Sequence, residues 1–320
     1  MSLRVSLIVL TYNGIDLTMQ CLDSLRHQDY PNCHILVVDN ASQDNTVETI
    51  RAAYPEVELI ATGKNLGYAA GNNVGMRAAL KQGAGALFLI NNDTRLEPGC
   101  VSALVKTLAA NPRIGIAGPM VLTWDEPGLI SSAGGLIDWA HADAANEGAG
   151  QADRGQYPGR NVDFVNGCGL LVTAAAIERA GMLDPRFFMY WEEVDLCQRV
   201  KAAGFDVWFD RTAHMRHKAT LETADLGPTT LYYVTRNRLL FFGRHGPTHL
   251  RPLALARAMH GALRGIARHR QAGRLAHARA TQLALVHAGL RRWGYADPKL
   301  WLSALPGSEP RSGYARGTAS

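Results

Sequence analysis

Between Val5 and Gly118 the chain alternates short apolar runs with segments of helical period, the pattern that most narrows its choice of fold. Val5 to Leu10, His34 to Val38, Val57 to Ala61, Ala86 to Ile90 and Ile114 to Gly118 read as buried strands. Asp16 to His27 reads as a helix, with Leu17, Cys21, Leu22 and Leu25 on one face. A second helix follows Ser42 or Asp44, either of which can cap it, with Val47 and Ile50 inward. Ala69 to Lys81 and Pro98 to Ala109 complete the series. Alternation of this length requires right-handed crossovers, which makes the fold class α/β on a mostly parallel sheet flanked by helices. In such sheets ligands bind beyond the carboxyl ends of the strands.

After Pro119 the pattern changes. Gly134-Gly135 and the stretch from Gly148 to Gly159 predict loops and hairpins, followed by a strand pair at Val162 to Val165 and Gly169 to Val172. Glu192 to Ala203 has a helical period and stops at Gly204, a C-cap residue. Val207 to Phe209 predicts another short strand, Thr229 to Phe242 a helix, and Leu250 to Trp293 two helices breaking near Gly273. The expected division is a main domain over 1–245, split at 118/119, and a C-terminal region over 246–320.

The strand ends carry the chemistry. The first ends in Thr11-Tyr12-Asn13, the second in Asp39-Asn40, the third in Gly63-Lys64-Asn65 and the fourth in Asn91-Asn92-Asp93. One such end is more often a turn, because Asn, Asp and Gly favour turns anyway; four in succession on one edge predict a site. Asp39 is placed to accept hydrogen bonds from a ribose or base, or to cap the next helix. Asp93, immediately after a buried strand, suits a divalent cation held between a carboxylate and phosphate oxygens. Neither a P-loop nor a G-x-G-x-x-G turn follows the first strand, which excludes a P-loop ATPase and a dinucleotide redox enzyme. Nor does Thr11-Tyr12-Asn13-Gly14 supply the basic glycine-rich loop of a sugar nucleotidyltransferase.

Three carboxylates, Glu192, Glu193 and Asp195, crowd one helix start. There they either complement the helix dipole or, by mutual repulsion and burial, gain the proton affinity of a general base. In "NLGYAAGNN", Gly67 and Gly71 permit close backbone approach to a ligand, and Asn72 or Asn73 can bond a base or sugar; helix capping is the competing role. Arg236 and Arg238 point to different sides of one helix, and one of them can meet a diphosphate.

Taken together, "VSLIVLTYNG", "ILVVDNASQDNT", "KNLGYAAGNNVGMRAAL", "LFLINNDTRLEPGC", the stretch through "WEEVDLCQRVKAAGFDVW" and "YYVTRNRLLFF" resemble glycosyltransferase family 2, in its rhamnosyltransferase-like bacterial branch, over about residues 3 to 245. The resemblance implies a GT-A fold, a nucleotide-binding half at 1–118, an acceptor-binding half at 119–245, and inverting transfer from a nucleoside-diphosphate sugar. It implies donor contacts from Thr11, Tyr12, Asn13, Asp39, Asn65, Gly67, Asn72, Asn91, Asn92 and Arg236. Asn91-Asn92-Asp93 falls where the family carries a D-x-D motif, with Asn91 replacing the first Asp, a departure that puts the metal requirement in question. By the same resemblance Glu193 stands at the base position, with Glu192 its rival and Asp195 bonding sugar, acceptor or a neighbour, and His217 joins Asp93 on magnesium or manganese. The implied donor is dTDP-rhamnose, with UDP-hexose or galactofuranose transfer, or a non-catalytic glycan-binding relative, as alternatives; the acceptor is a surface polysaccharide or lipid-linked glycan.

Charge sets the tail apart. From Leu226 to Ala296 there are twelve Arg and no Lys, Asp or Glu; the other basic residues number 21 of 33, against 28 acidic ones. Leu253, Leu255, Met259, Leu263 and Ile266 form an apolar stripe among the arginines, which suits an interfacial helix on an anionic leaflet, or packing on the catalytic domain or a partner. No nucleic-acid motif accompanies the charge. No apolar run approaches the roughly 18 residues of a membrane span, and the start lacks a signal-peptide pattern, so a cytoplasmic protein, peripheral on the inner face of the cell membrane, is expected. The five cysteines show no C-x-x-C pair and read as buried thiols.

Overall fold

The computed structural model describes residues 2–126, 128–218 and 226–302. These form two compact units, one of residues 2–137, 144–184 and 192–218, the other of 138–143, 185–191 and 226–302.

In the first unit, β1 (Val5–Thr11), α1 (Ile15–Arg26), β2 (Cys33–Asp39), α2 (Thr46–Ala53), β3 (Glu58–Ala61), α3 (Gly67–Lys81) and β4 (Ala86–Asn91) follow the predicted alternation. Next come β5 (Thr94–Leu96), α4 (Cys100–Ala110), β6 (Ile114–Thr123), β7 (Ile130–Ser132), and a two-stranded sheet of β8 (Gly135–Asp138) and β9 (Asp143–Asn146). β10 (Arg160–Asn161), β11 (Gly169–Thr173), α5 (Ala174–Ala180), α6 (Glu192–Ala202) and β12 (Asp206–His217) complete it.

The main sheet runs β10-β12-β6-β11-β4-β1-β2-β3, with β5 on β12 and β7 on β6. Neighbours among β3, β2, β1 and β4 are parallel, as are β6 and β12, whereas β11 lies antiparallel between β4 and β6. β1 and β4 are apolar nearly throughout because both sheet faces are covered. Val5, Leu7, Val9, Phe88 and Ile90 share a core with Leu22 and Leu25 of α1 and Val101 and Leu104 of α4. On α3, a Cβ at Gly75 would come within 2.6 Å of Ile8 Cγ2, so glycine there lets the helix backbone lie against the sheet.

Two predicted strands are corrected. Residues 162–165 do not pair with 169–172; Phe164 instead makes an isolated bridge to Gly135. Asn166 Oδ1 accepts the Cys168 amide and Asn166 O the Gly169 amide, a turn that sends β11 between β4 and β6. The strand expected at 207–209 extends to His217, with a register shift between Asp210 and His214 opposite Pro119, where β6 has no N–H to donate. Neither Ser42 nor Asp44 is the N-cap of α2: that residue is Asn45, and Asp44 Oδ1 accepts the Thr46 amide in a turn.

The second unit contains α7 (Pro228–His245), α8 (Arg251–Gln271), α9 (Leu275–Gly289) and α10 (Lys299–Leu302). Phe188, Tyr232, Tyr233, Ala280, Ala284, Ala296 and Trp301 form its core, with Trp301 stacked on Tyr232 at 4.5 Å. α7 therefore groups with the helices that follow it, unlike the division expected at residue 245. The break near Gly273 falls where predicted, with φ +70° at that residue. Residues 303–320 of the expected C-terminal region lie outside the described residues.

Candidate functional site

The parallel register levels the strand ends. Thr11 stands opposite Asp39 and Leu10 opposite Asn91, with β1 between β2 and β4, where strand order reverses. That is the topological switch point at which open α/β sheets bind ligands.

Much of the polar edge organises its own loops. Asn92 Nδ2 donates to Thr11 Oγ1 at 3.3 Å and Thr18 Oγ1 at 3.0 Å. Asn13, at φ 51°, donates its amide to Ser42 Oγ and accepts the Gln43 amide on Oδ1 at 2.6 Å. Asp39, 2% exposed, accepts the Ser42 amide at 3.2 Å, a bond within the loop ahead of α2 and not a cap on that helix. Asn65 Oδ1 accepts from the Gly67 amide and from Asn40 Nδ2. Asn72 donates to Tyr68 O, while its own Oδ1 is buried without a hydrogen-bond partner. Tyr12 is half-buried.

At the end of β4, Asp93 meets His217. Thr94 pairs with His217 in the β5–β12 ladder, and Lys218 donates its amide to Asp93 O at 3.0 Å. His217 Nε2 consequently lies 3.2 Å from Asp93 Oδ1, an ion-pair separation without hydrogen-bond alignment. Burial disfavours charge on His217, but the Cys168 sulfur and the Asp93 carboxylate outweigh it and raise the imidazole pKa well above its usual value. Burial likewise opposes the Asp93 charge, yet His217 and Asn91 pull that pKa below the ordinary range. Asn91 Oδ1 is buried and carries no hydrogen bond. No cluster of three His, Cys, Asp or Glu residues able to hold a metal occurs among the described residues. The donors nevertheless fit a divalent cation that completes its shell with phosphate oxygens, since one carboxylate, one imidazole and an unbonded carboxamide oxygen sit together. His214 stands apart, bonded to Arg211 and Thr212.

The α6 carboxylates differ in circumstance. Glu192 is 4% exposed, and burial, then the neighbouring Glu193 charge, raise its pKa well above the usual carboxylate range. Asp195 is fully buried and pairs with Arg199 Nε at 2.7 Å. Arg199 Nη2 in turn donates to Met182 O at 2.7 Å, so Asp195 orients an arginine that ties down the 180–182 segment. Glu193 packs on Gly167: a Cβ on that glycine would lie 3.3 Å from Glu193 Cβ and Cγ.

Arg236 departs from its expected diphosphate contact. Fully buried in the second unit, it uses all five donors on Asn237, the Tyr232 hydroxyl, and the carbonyls of Gly294, Arg186 and Phe187. Beside it, Asn237 Nδ2 donates to Phe187 O, Met189 O and Tyr190 O. Arg238 bonds His141 O and Ala142 O of the same unit.

Sequence reasoning missed Tyr68 and the turn at 166–168. Burial and the charges of Glu192, Glu193, Cys168 and Asp93 together push the Tyr68 phenol far up in pKa. One phenol therefore lies in the field of both the α6 carboxylates and the β4 cluster. A tyrosine amid glycines and asparagines in "NLGYAAGNN" was the available signal.

An α/β sheet with a polar switch point, an Asp–His pair at one strand end and acids at a neighbouring helix start is the arrangement of a GT-A type fold. Residues 6–162 match the sequence model described as Glycosyl transferase family 2, and the chain belongs to that family. It is 30% identical over 208 residues to an N-acetylglucosaminyl-diphospho-decaprenol L-rhamnosyltransferase of Mycobacterium tuberculosis, covering 58% of this chain and 66% of that protein. The aligned region thus spans just under two thirds of that relative. Identity is 24% over 261 residues to the dTDP-rhamnosyl transferase RfbF of Shigella flexneri, 77% of this chain and 82% of the relative. Among solved structures, the mannosyltransferase PcManGT from Pyrobaculum calidifontis, in complex with GDP-Man and Mn2+, superposes with a TM-score of 0.57 at 16% identity, covering 90% of this chain and 88% of that one. At that identity the likeness concerns the fold.

Proposed function

We propose that the chain is an inverting glycosyltransferase that moves rhamnose from a nucleoside-diphosphate donor, dTDP-rhamnose, onto a glycan or lipid-linked acceptor. The observation that carries this reading is the turn at 166–168, which touches both groups: Cys168 O accepts the Asn91 amide at 3.1 Å next to the Asp93–His217 pair, and the Gly167 backbone abuts Glu193. The two rhamnosyltransferase relatives support the sugar, and the diphospho-decaprenol relative supports a lipid-linked acceptor.

Glu193 takes the proton of the acceptor hydroxyl. The freed oxygen forms a bond to the anomeric carbon from the face opposite the diphosphate, the carbon–oxygen bond to the diphosphate breaks, and the nucleoside diphosphate leaves with the electron pair. Burial, then the adjacent Glu193 charge, raise the proton affinity of Glu192, which favours its neutral form beside the base. Asp93 and His217 would hold magnesium or manganese, which when bound offsets charge on the leaving diphosphate. Asp39 and Asn72 bond the nucleoside, with Thr11, Tyr12, Asn13, Asn65 and Gly67 shaping the walls around it.

α8 supports peripheral binding to an anionic membrane, where a lipid-linked acceptor resides. Leu253, Met259 and Leu263 are about half exposed, Arg257, Arg264 and Arg268 are exposed on the same helix, and no acid occurs between 226 and 296. Of the other residues expected in that stripe, Ile266 is buried and Leu255 half-buried. No helix among the described residues is long and apolar enough to cross a membrane.

The test is release of dTDP from dTDP-rhamnose with and without manganese, in the wild type and in Glu193→Gln. Turnover that persists undiminished in Glu193→Gln would refute the assignment of the base; a panel of nucleotide sugars in which dTDP-rhamnose is no better than others would refute the donor.

A further inference from the structure

Tyr68 has no part in the chemistry just described, yet it reaches across the site. From the first turn of α3 its hydroxyl donates to Gly167 O at 2.6 Å, joining residues 99 positions apart. Gly167 is the middle of the turn 166–168. On one side of it, Cys168 O accepts the Asn91 amide at 3.1 Å, and the Cys168 sulfur neighbours His217. On the other, the Gly167 backbone abuts Glu193 so closely that an added Cβ would fall 3.3 Å from two of its carbons. This turn therefore touches the strand-end cluster through Cys168 and the α6 acid through Gly167.

α3 is a firm anchor for such a strut. Its Gly71 and Gly75 let the backbone lie directly against Leu10 and Ile8 of β1, where any Cβ would clash at 2.7 or 2.6 Å. A bond from α3 to Gly167 thus refers the turn to the sheet itself.

We propose that Tyr68 is a positioning residue of this enzyme: its bond to Gly167 O fixes the 166–168 turn, and with it the placement of Glu193 relative to Asn91 and Asp93. The inference rests on the glycosyltransferase reading, and specifically on Glu193 as the base. Transfer needs the reacting atoms held near attack distance, and an ångström of misplacement costs on the order of 100-fold in rate. Removing the hydroxyl leaves the ring in place and the turn untied. Adding a methyl at Gly167 displaces Glu193 from the opposite direction.

The experiment measures dTDP release from dTDP-rhamnose in the wild type, Tyr68→Phe and Gly167→Ala, together with dTDP affinity by thermal shift. Wild-type turnover bears on the functional reading alone; the ratio of Tyr68→Phe to wild type bears on Tyr68, and that of Gly167→Ala on the turn that Tyr68 holds. The expected result is a fall in kcat of about 10- to 100-fold in both variants. KM for the donor and dTDP affinity should stay within about twofold, and the acid limb of the kcat/KM pH profile should move. A Tyr68→Phe protein that melts earlier but keeps its kcat and pH profile would overturn the proposal, as would parallel losses of kcat and dTDP affinity. Should Tyr68→Phe fold poorly, Gly167→Ala decides the matter by the same criteria.

Discussion

Thr94 of β5 and His217 of β12 stand directly opposite each other in an antiparallel ladder, and that register brings an imidazole from a strand late in the first unit to 3.2 Å from Asp93. The pair is thus built by sheet geometry across more than a hundred residues. Asp93→Ala and His217→Ala should each lower manganese-supported dTDP release by at least about tenfold, the scale on which metal sites respond to losing even outer partners. Circular dichroism should remain that of the wild type, because both side chains lie at a strand end rather than in the core. Equal stimulation by manganese in wild type and both variants would remove the pair from any role with a cation.

The α6 acids separate into a structural and a chemical class. Asp195 is wholly buried against Arg199, whose guanidinium also holds the Met182 carbonyl. Asp195→Ala strands that cation, and breaking a buried pair in this way costs about 3 kcal/mol or more. Its denaturation midpoint should drop accordingly. Glu193→Gln keeps volume and should leave the midpoint nearly unchanged while abolishing turnover. If Glu192→Gln is the variant that loses turnover and Glu193→Gln is not, the base is Glu192.

Glu192 also sets a pH dependence of stability. Its folded-state pKa is raised, by burial and then by Glu193, above the roughly 4.3 of an unfolded chain. Its favourable contribution is therefore complete below that unfolded value and is lost as pH rises through the folded value. Glu192→Gln removes the ionisation, so the variant should gain on the wild type as pH increases, by about 1.4 kcal/mol per tenfold change in proton affinity. Melting temperatures of both proteins at pH 5 and pH 8 check this. A gap that is the same at both pH values would contradict it.

What could be read from the sequence followed locality. The helices at α1, α3 and α6 announced themselves through period and end signals, and Gly273 marked the α8–α9 break because a positive φ there suits glycine. β12 was read as three residues rather than twelve because Asp210, Arg211 and Arg216 interrupt its apolar pattern. Those polar groups are satisfied by distant partners, Asp210 by Thr107 and Arg216 by Glu97, which no window of sequence contains. The strand-end set Thr11, Asp39 and Asn91 was legible, since each follows an apolar run and parallel strands deliver their carboxyl ends to one edge of the sheet. Arg236 was not. Its role depends on carbonyls of residues 186, 187 and 294 converging around α7, and a carbonyl leaves no mark on the residue that carries it. Tyr68 escaped for the same reason, because its partner is the main chain of Gly167.

The outer face of α8 makes the last prediction. Leu253, Met259 and Leu263 are 46%, 49% and 55% exposed, a disposition that water disfavours and a lipid interface accepts. Arg257, Arg264 and Arg268 beside them would each gain about 1 kcal/mol near an anionic headgroup layer, and the attraction decays within a Debye length. Full-length protein should float with phosphatidylglycerol vesicles at low salt, less so at 0.5 M salt, and not with phosphatidylcholine vesicles. Replacing the three arginines by glutamate should abolish flotation, while replacing Leu263 alone by serine should weaken it, since aliphatic and basic groups share the binding energy. Arginine variants that lose flotation while Leu263→Ser does not would point to a purely electrostatic surface. Flotation unaffected by either change would place the contact elsewhere on the protein.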